Sequence, residues 1–199
     1  MKLAIRRYGD PALRAKGKRV AEIDGVIREL ADNMLETMRG ANGIGLAAQQ
    51  VGQAFQLTVV DISAVEDRPS SIAWNGQEVD PKEHMPLVLL NPQLQTGPEK
   101  EIASEGCLSF PEISAEIERA EWVKVQAQIL TGERVEIEAT GLLARALQHE
   151  IDHLNGILFI DRMSSAAKAS LSSRLKRLQK ETQRGLTTNR QPRAVEPAL

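Results

Sequence analysis

Residues 123–156 read VKVQAQILTGERVEIEATGLLARALQHEIDHLNG. Val123, Val125, Ala127 and Ile129 alternate with Lys124, Gln126 and Gln128. After Thr131-Gly132-Glu133, Val135, Ile137 and Ala139 alternate with Arg134, Glu136 and Glu138. Two runs of period two joined by a glycine-containing turn predict a β-hairpin with one face buried. The period then changes. Thr140 can cap a helix on which Leu143, Leu147, Ile151 and Leu154 form one apolar stripe. Leu142, Ala146, His149 and His153 form a second stripe beside it. A helix that is apolar over most of its girth is buried, and Asn155-Gly156 offers it a left-handed stop. The stretch predicts an α+β fold of mainly antiparallel β-sheets packed around a central helix that carries histidines inward.

The flanking sequence extends this reading. Asp10 before Pro11 is the pattern of an N-cap followed by proline in a first helical turn. Asp24 can cap a helix running to about Arg39, with Ile27, Leu30, Met34, Leu35 and Met38 at helical spacing. FQLTVVDI, residues 55–62, reads as a buried strand, and Leu87 to Leu90 as another. Between them Ser63 to Pro86 lacks periodicity and reads as a long polar loop, an unusual feature inside a domain. A last helix is expected from Ser165 to Arg184, with Leu171, Leu175 and Leu178 as a narrow apolar stripe. Residues 1–184 are expected to form one domain. Residues 185–199 carry Pro, Thr, Asn and Arg without pattern and are expected to be a disordered tail.

The 199 residues are 42% apolar and 26% charged, as in ordinary globular proteins. With 25 basic and 27 acidic residues the net charge is -2, so bulk electrostatics give no case for nucleic acid as the main ligand. Cys107 is the single cysteine, which excludes an internal disulfide. No apolar run approaches the roughly 18 residues of a membrane span, and MKLAIRRYGD has no hydrophobic signal core. The expected address is the cytoplasm.

The chemistry concentrates in His149-Glu150-Ile151-Asp152-His153. Histidines four apart stack on one helix face and can share a metal. Glu150 lies about 100° around the helix from His149, so its carboxylate can reach a bound water and act as a general base. Buried histidines need partners, and a metal satisfies both at once. A catalytic centre of this type wants three protein ligands and an open position. The soft ligand available is Cys107, 42 residues before His149; thiolate, two imidazoles and water suit Zn(II) or Fe(II). His84 falls in the polar loop and is expected to be solvated. GIGLAAQQ, residues 43–50, has small residues that let backbone approach a ligand, and a glutamine amide there can donate to an oxyanion.

GIGLAAQQ, EGCLS (105–109) and QHEIDH (148–153), in this order, resemble the three motifs of bacterial peptide deformylases. The resemblance spans from Ile5 to the last helix. It implies a metal-dependent hydrolase that removes the formyl group from N-terminal formylmethionine of nascent chains and releases formate. Cys107, His149 and His153 match the metal ligands, and Glu150 the catalytic acid/base. Gln50 matches the oxyanion-stabilising side chain, and the backbone N–H of Leu108 its partner donor. Gly45 and Gly106 match groove-lining positions; Ile44, Leu142 and His149 match part of the methionine pocket. The implied cofactor is one divalent metal, Fe(II) in the cell, with Zn, Ni or Co in purified protein. Gln49 stands where many members have proline, and Arg145 is expected to project toward the pocket mouth.

Two other readings compete. A metallopeptidase of the general HExxH type needs a further ligand downstream, yet no histidine follows His153, and Glu181 and Glu196 fall on the last helix and tail. A structural metal site in an interaction protein needs four protein ligands, and three are visible. The last helix carries Lys168, Arg174, Lys176, Arg177, Lys180 and Arg184 against Glu181; this is a solvated face or a ribosome contact. A monomer with no membrane association is expected.

Overall fold

The computed structural model of the protein describes residues 1–190. Along the chain come α1 (Gly25–Gly40), β1 (Gly45–Ala47), β2 (Leu57–Val60), β3 (Ile72–Trp74), β4 (Gln77–Val79), β5 (Leu87–Thr96), β6 (Lys100–Gly106), β7 (Ser114–Ala120), β8 (Trp122–Gln128), β9 (Arg134–Thr140), α2 (Gly141–Leu154), α3 (Phe159–Arg162) and α4 (Ser165–Arg190). Seven strands form one antiparallel sheet in the order β1-β2-β5-β8-β9-β3-β4, and β6 pairs with β7 in a second. The architecture is the α+β arrangement that the hairpin and helix patterns predict.

The hairpin is β8–β9, with Val123 opposite Ala139 and Val125 opposite Ile137. These four side chains are buried, and Lys124, Glu136 and Glu138 on the other face remain partly wet. Register is thereby fixed, because a one-residue slip would turn the apolar set outward. β5 bends where the pairing with β8 shifts between Leu90 and Gln93. Asn91 has φ 52° there and Pro92 has no N–H to give the ladder.

Helix α2 is buried from Leu142 to Leu154. Leu143, Leu147 and Ile151 pack against Leu89, Val123, Val125 and Ile137 of the large sheet. Each such leucine or isoleucine contributes about 1.5–3 kcal/mol by leaving water. Helix α1 covers a second cluster through Ala31, Met34 and Met38 on Leu46, Leu57 and Leu90. Helix α4 lays Leu175 and Leu178 on a third, with Phe110, Ile117 and Phe159. Gly156 ends α2 in the left-handed conformation, with φ 73°.

Several expectations need correction. Asp10, before Pro11, does act as the expected cap, its carboxylate accepting the Ala12 N–H at 2.9 Å, but the helix is only a single 3-10 turn, Pro11–Arg14. The strand expected over 55–62 is shorter, Leu57–Val60. The 63–86 excursion is not plain loop: β3 joins the sheet edge beside β9, β4 follows it, and Pro81–His84 forms a 3-10 turn. These pieces are too short to display a period. Thr140 does not cap α2 with its side chain. Ser70 Oγ from the excursion accepts the Leu143 N–H at 3.0 Å instead. Helix α4 continues past Arg184 to Arg190, so Gly185, a residue a helix tolerates at modest cost, does not end it. The rest of the expected tail, 191–199, lies outside the described residues. Among the described residues no helix is long and apolar enough to cross a membrane.

Candidate metal centre

Three segments converge on one cleft of about 660 Å³. Helix α2 brings His149 and Glu150, the segment after β6 brings Cys107 and Leu108, and β1 with the turn behind it brings Gly45 and Gln50. Ile44, Gly106 and Leu142 also line the cleft. His153 sits one helical turn beyond His149, buried, with the two rings 5.0 Å apart. All ten residues singled out from the sequence for ligation, catalysis or substrate contact therefore meet in one place. His84 does not: its ring lies 5.1 Å from that of Trp74, outside the cleft.

One donor atom each from Cys107, His149 and His153 lie within 4.8 Å of one another. Cys107 Sγ is 3.3 Å from His153 Nε2. A tetrahedral ion bound at the usual metal–sulfur and metal–nitrogen lengths sets such donors about 3.4–3.6 Å apart; Cys107 and His153 are already close to that spacing, and the set as a whole, within 4.8 Å, draws in to share one ion. His149 Nδ1 faces Glu105 Oε2 at 3.0 Å, which leaves Nε2 to be the ligand nitrogen. Glu150 is not in the donor group. Its carboxylate presses on β1, where a Cβ on Gly45 would come within 2.3 Å of Glu150 Oε1. Only glycine lets the acid lie there. Glu150 Oε2 is buried without a hydrogen-bond partner, an atom awaiting a partner in the cleft.

Behind the ligands lies a buried charge network. Arg119 is bidentate to Glu105, Nε to Oε1 at 2.9 Å and Nη2 to Oε2 at 3.0 Å, and also pairs with Asp152. Arg162 reaches Asp152 at 2.7 Å. Arg145 donates to Glu105 Oε1 at 2.8 Å and to the carbonyls of Ile117 and Glu101. The expectation that Arg145 projects to the pocket mouth is thus corrected: it borders the cleft, but its guanidinium is buried and turned toward Glu105, the nearest desolvated carboxylate. Burial alone would raise the Glu105 carboxyl; hydrogen bonds from His149 and Arg119, with the Arg119 charge, outweigh it and hold it down to about 2. Burial pushes Glu150 up to about 7, against the pull of His149 and Arg119. Burial lowers His153, and the neighbouring His149 and Arg119 lower it further.

Gln50 is fixed at both ends of its amide. Its Oε1 accepts the Ala47 N–H at 2.8 Å, and its Nε2 donates to Ser109 Oγ at 3.2 Å and to Cys107 Sγ at 3.5 Å. The N-terminal strand-like segment ties the two donor segments together: Arg6 N–H donates to the Gln50 carbonyl at 2.7 Å and Tyr8 N–H to the Ser109 carbonyl at 2.9 Å. Gln49 is fully buried, with Nε2 on the Leu154 carbonyl at 3.2 Å.

Sequence reasoning did not find Arg119, Glu105, Asp152 or Ser109. Arg119 left a signal: it shares the inward face of β7 with Ile117, and an arginine in register with a core isoleucine demands a carboxylate.

The polypeptide deformylase family profile matches residues 2–169. The chain belongs to the polypeptide deformylase family. It is 43% identical over 179 residues to a peptide deformylase of Endomicrobium trichonymphae, covering 90% of this chain and 96% of that one. It is 46% identical over 162 residues to that of Thermodesulfovibrio yellowstonii, covering 81% and 89%. The crystal structure of the peptide deformylase from Thermotoga maritima matches with a TM-score of 0.70 at 41% identity, covering 82% of this chain and 99% of that one. A plant peptide deformylase structure matches with a TM-score of 0.80 at 39% identity, covering 92% of each. Deformylase membership leaves the HExxH metallopeptidase and the non-catalytic metal protein without support.

Proposed function

We propose that this chain removes the formyl group from N-formylmethionyl peptides, releasing formate and a free amino terminus. The carrying observation is a Cys/His/His donor set with a carboxylate beside it, outside the set, and two amide donors on the same cleft. A divalent metal held by Cys107, His149 and His153 would supply an acidified water and a Lewis acid for the formyl oxygen. Glu150 takes the proton from the attacking water and returns it to the departing amine. Gln50 Nε2 and the backbone N–H of Leu108 donate to the oxyanion as the formyl carbon becomes tetrahedral. Ile44 and Leu142, with the His149 ring, wall the methionine side chain. Strand β1 is the outermost strand of its sheet, and its unpaired edge at Gly45, with Gly106 opposite, can receive an extended peptide backbone.

The donor set suits Fe(II) or Zn(II); we take Fe(II) as the cellular ion, with Zn, Ni or Co in purified samples. All donors come from one chain, so a monomer suffices. The substrate is made in the cytoplasm, and we assign the chain there. Lys168, Lys176, Arg177, Lys180 and Arg184 are exposed on α4, and a ribosome contact through this helix would show as salt-sensitive cosedimentation. We treat residues 1–184 as the catalytic domain.

The test is formate release from formyl-Met-Ala-Ser, with anaerobically purified protein, with and without chelator. Chelator-sensitive release is expected from the native chain, and near-complete loss from Glu150→Ala that still holds its metal. Release that survives metal removal would overturn the assignment.

A further inference from the structure

The excursion before β3 is anchored to the start of α2. Ser70 Oγ accepts the Leu143 N–H at 3.0 Å, Ser71 N–H and Oγ meet Thr140 Oγ1, and Thr140 N–H donates to the Ser71 carbonyl. Gly141, at φ 63°, lies so close to the Pro69 carbonyl that a Cβ would come within 2.2 Å of it. These contacts bracket Leu142, which lines the cleft. The next residue back, Arg68, lines the same cleft. Arg68 sits at a bend directly before the anchored Pro69–Ser71 segment, which holds its main chain at the wall.

Arg68 is exposed and has no carboxylate partner among the described residues. Of the other charged residues on the cleft, Glu105 and Arg145 satisfy each other, and Glu150 lies deep against Gly45. Glu112 stands on the segment between β6 and β7, its main chain held by Arg174. Arg68 is therefore the free cation of the excursion wall, beside Leu142. In an extended peptide the side chains of residues 1 and 3 point to the same face, about 6.6–6.8 Å apart along the strand. If residue 1 sets its side chain against Leu142, residue 3 points to the same wall.

We propose that Arg68 makes the cleft prefer formylmethionyl peptides with an acidic third residue. The inference rests on the deformylase reading and specifies its substrates. Arg68 meets the substrate carboxylate in solvent, so the pair is worth about twofold to fivefold at low salt and less at 0.5 M.

The experiment compares kcat/KM for C-terminally amidated formyl-Met-Ala-Glu, formyl-Met-Ala-Gln and formyl-Met-Ala-Lys at low and high salt. The native metal-loaded enzyme, Arg68→Ala and Arg68→Glu are each tested. The native enzyme should rank Glu above Gln above Lys, carried in KM. Arg68→Ala should flatten the order and Arg68→Glu reverse it, while turnover at saturating formyl-Met-Ala-Gln stays unchanged. Equal rates on all three peptides, or an order unmoved by Arg68→Glu, would overturn the proposal and leave deformylation standing. No formate from any peptide would instead sink the deformylase reading.

Discussion

Two charge networks in this molecule both pair carboxylates with cationic side chains and differ in solvent. One lies between α2 and the small sheet, where Glu105 and Asp152 hold Arg119, Arg145, Arg162 and His149. The side chains of Glu105, Arg119 and Arg145 are each 4–5% exposed. The other lies on the outer face of β8–β9, where Lys124 pairs with Glu136 and Glu138 at 2.9 Å each, roughly a third exposed. Distances alone would rank them equal. Desolvation separates them: a charge out of water is costly unless paired, so the inner network holds each member hostage to its partners, whereas water can replace any member of the outer one.

The largest effect should follow from Arg119→Met. The substitution keeps the aliphatic bulk and takes one cationic partner from each of two buried carboxylates, Glu105 and Asp152. Removing one partner of a buried pair costs about 3–5 kcal/mol, readable as a lower midpoint at unchanged slope in urea unfolding. A loss below about 1 kcal/mol would mean that Arg145 and Arg162 suffice for Glu105 and Asp152, and that the network is less coupled than its geometry implies.

Next comes Glu105→Gln, which keeps shape and removes the charge facing His149 Nδ1. An outer partner of this kind typically contributes 10–100-fold in metal affinity. Competition with a graded chelator should show a loss in that range. The contrast within α2 sharpens the test, because His153 Nδ1 is buried with no partner, so His149 is the ligand the network orients. Unchanged affinity would make the network purely structural.

What the sequence disclosed follows the same division. The β8–β9 alternation and the double stripe of α2 exposed the fold class, because period and burial agree there. The three motifs held the donor set, Glu150, Gln50 and Leu108, whereas Leu142, Arg68 and Arg145 line the same cleft from outside them. What stayed hidden has a physical reason. β6, KEIASEG, is mostly exposed and has no apolar period, and β3 and β4 are three residues each. The inward face of β7 carries Arg119, and a charge on a buried face looks like a solvent residue until its partner is known. Arg145 misled for the same reason: the carboxylate that claims it comes from a strand without a sequence signal. The α2 cap comes from Ser70, 73 residues before the Leu143 N–H that it accepts, where no local capping pattern can point to it.

The smallest effect is expected at Lys124→Ala, and its smallness is the informative part. Lys124 is drawn above its usual range by the hydrogen bonds it donates to Glu136 and Glu138, and Glu136 is lowered by Gln126 and by Lys124 itself. Both shifts show interaction, yet neither implies stability, since these groups are solvated with or without each other. After the substitution Gln126 Nε2 still donates to Glu136 Oε2 at 3.0 Å, and β8 keeps its inward valines. The urea midpoint in 0.15 M salt should stay within the error of the measurement. Lowering the salt should bring out a small deficit, because exposed charges within a Debye length of about 8 Å are then less screened. A salt-independent loss as large as that of Arg119→Met would break the comparison: the outer cluster would be braced by something other than charge, such as the lysine stem packing across the strand pair.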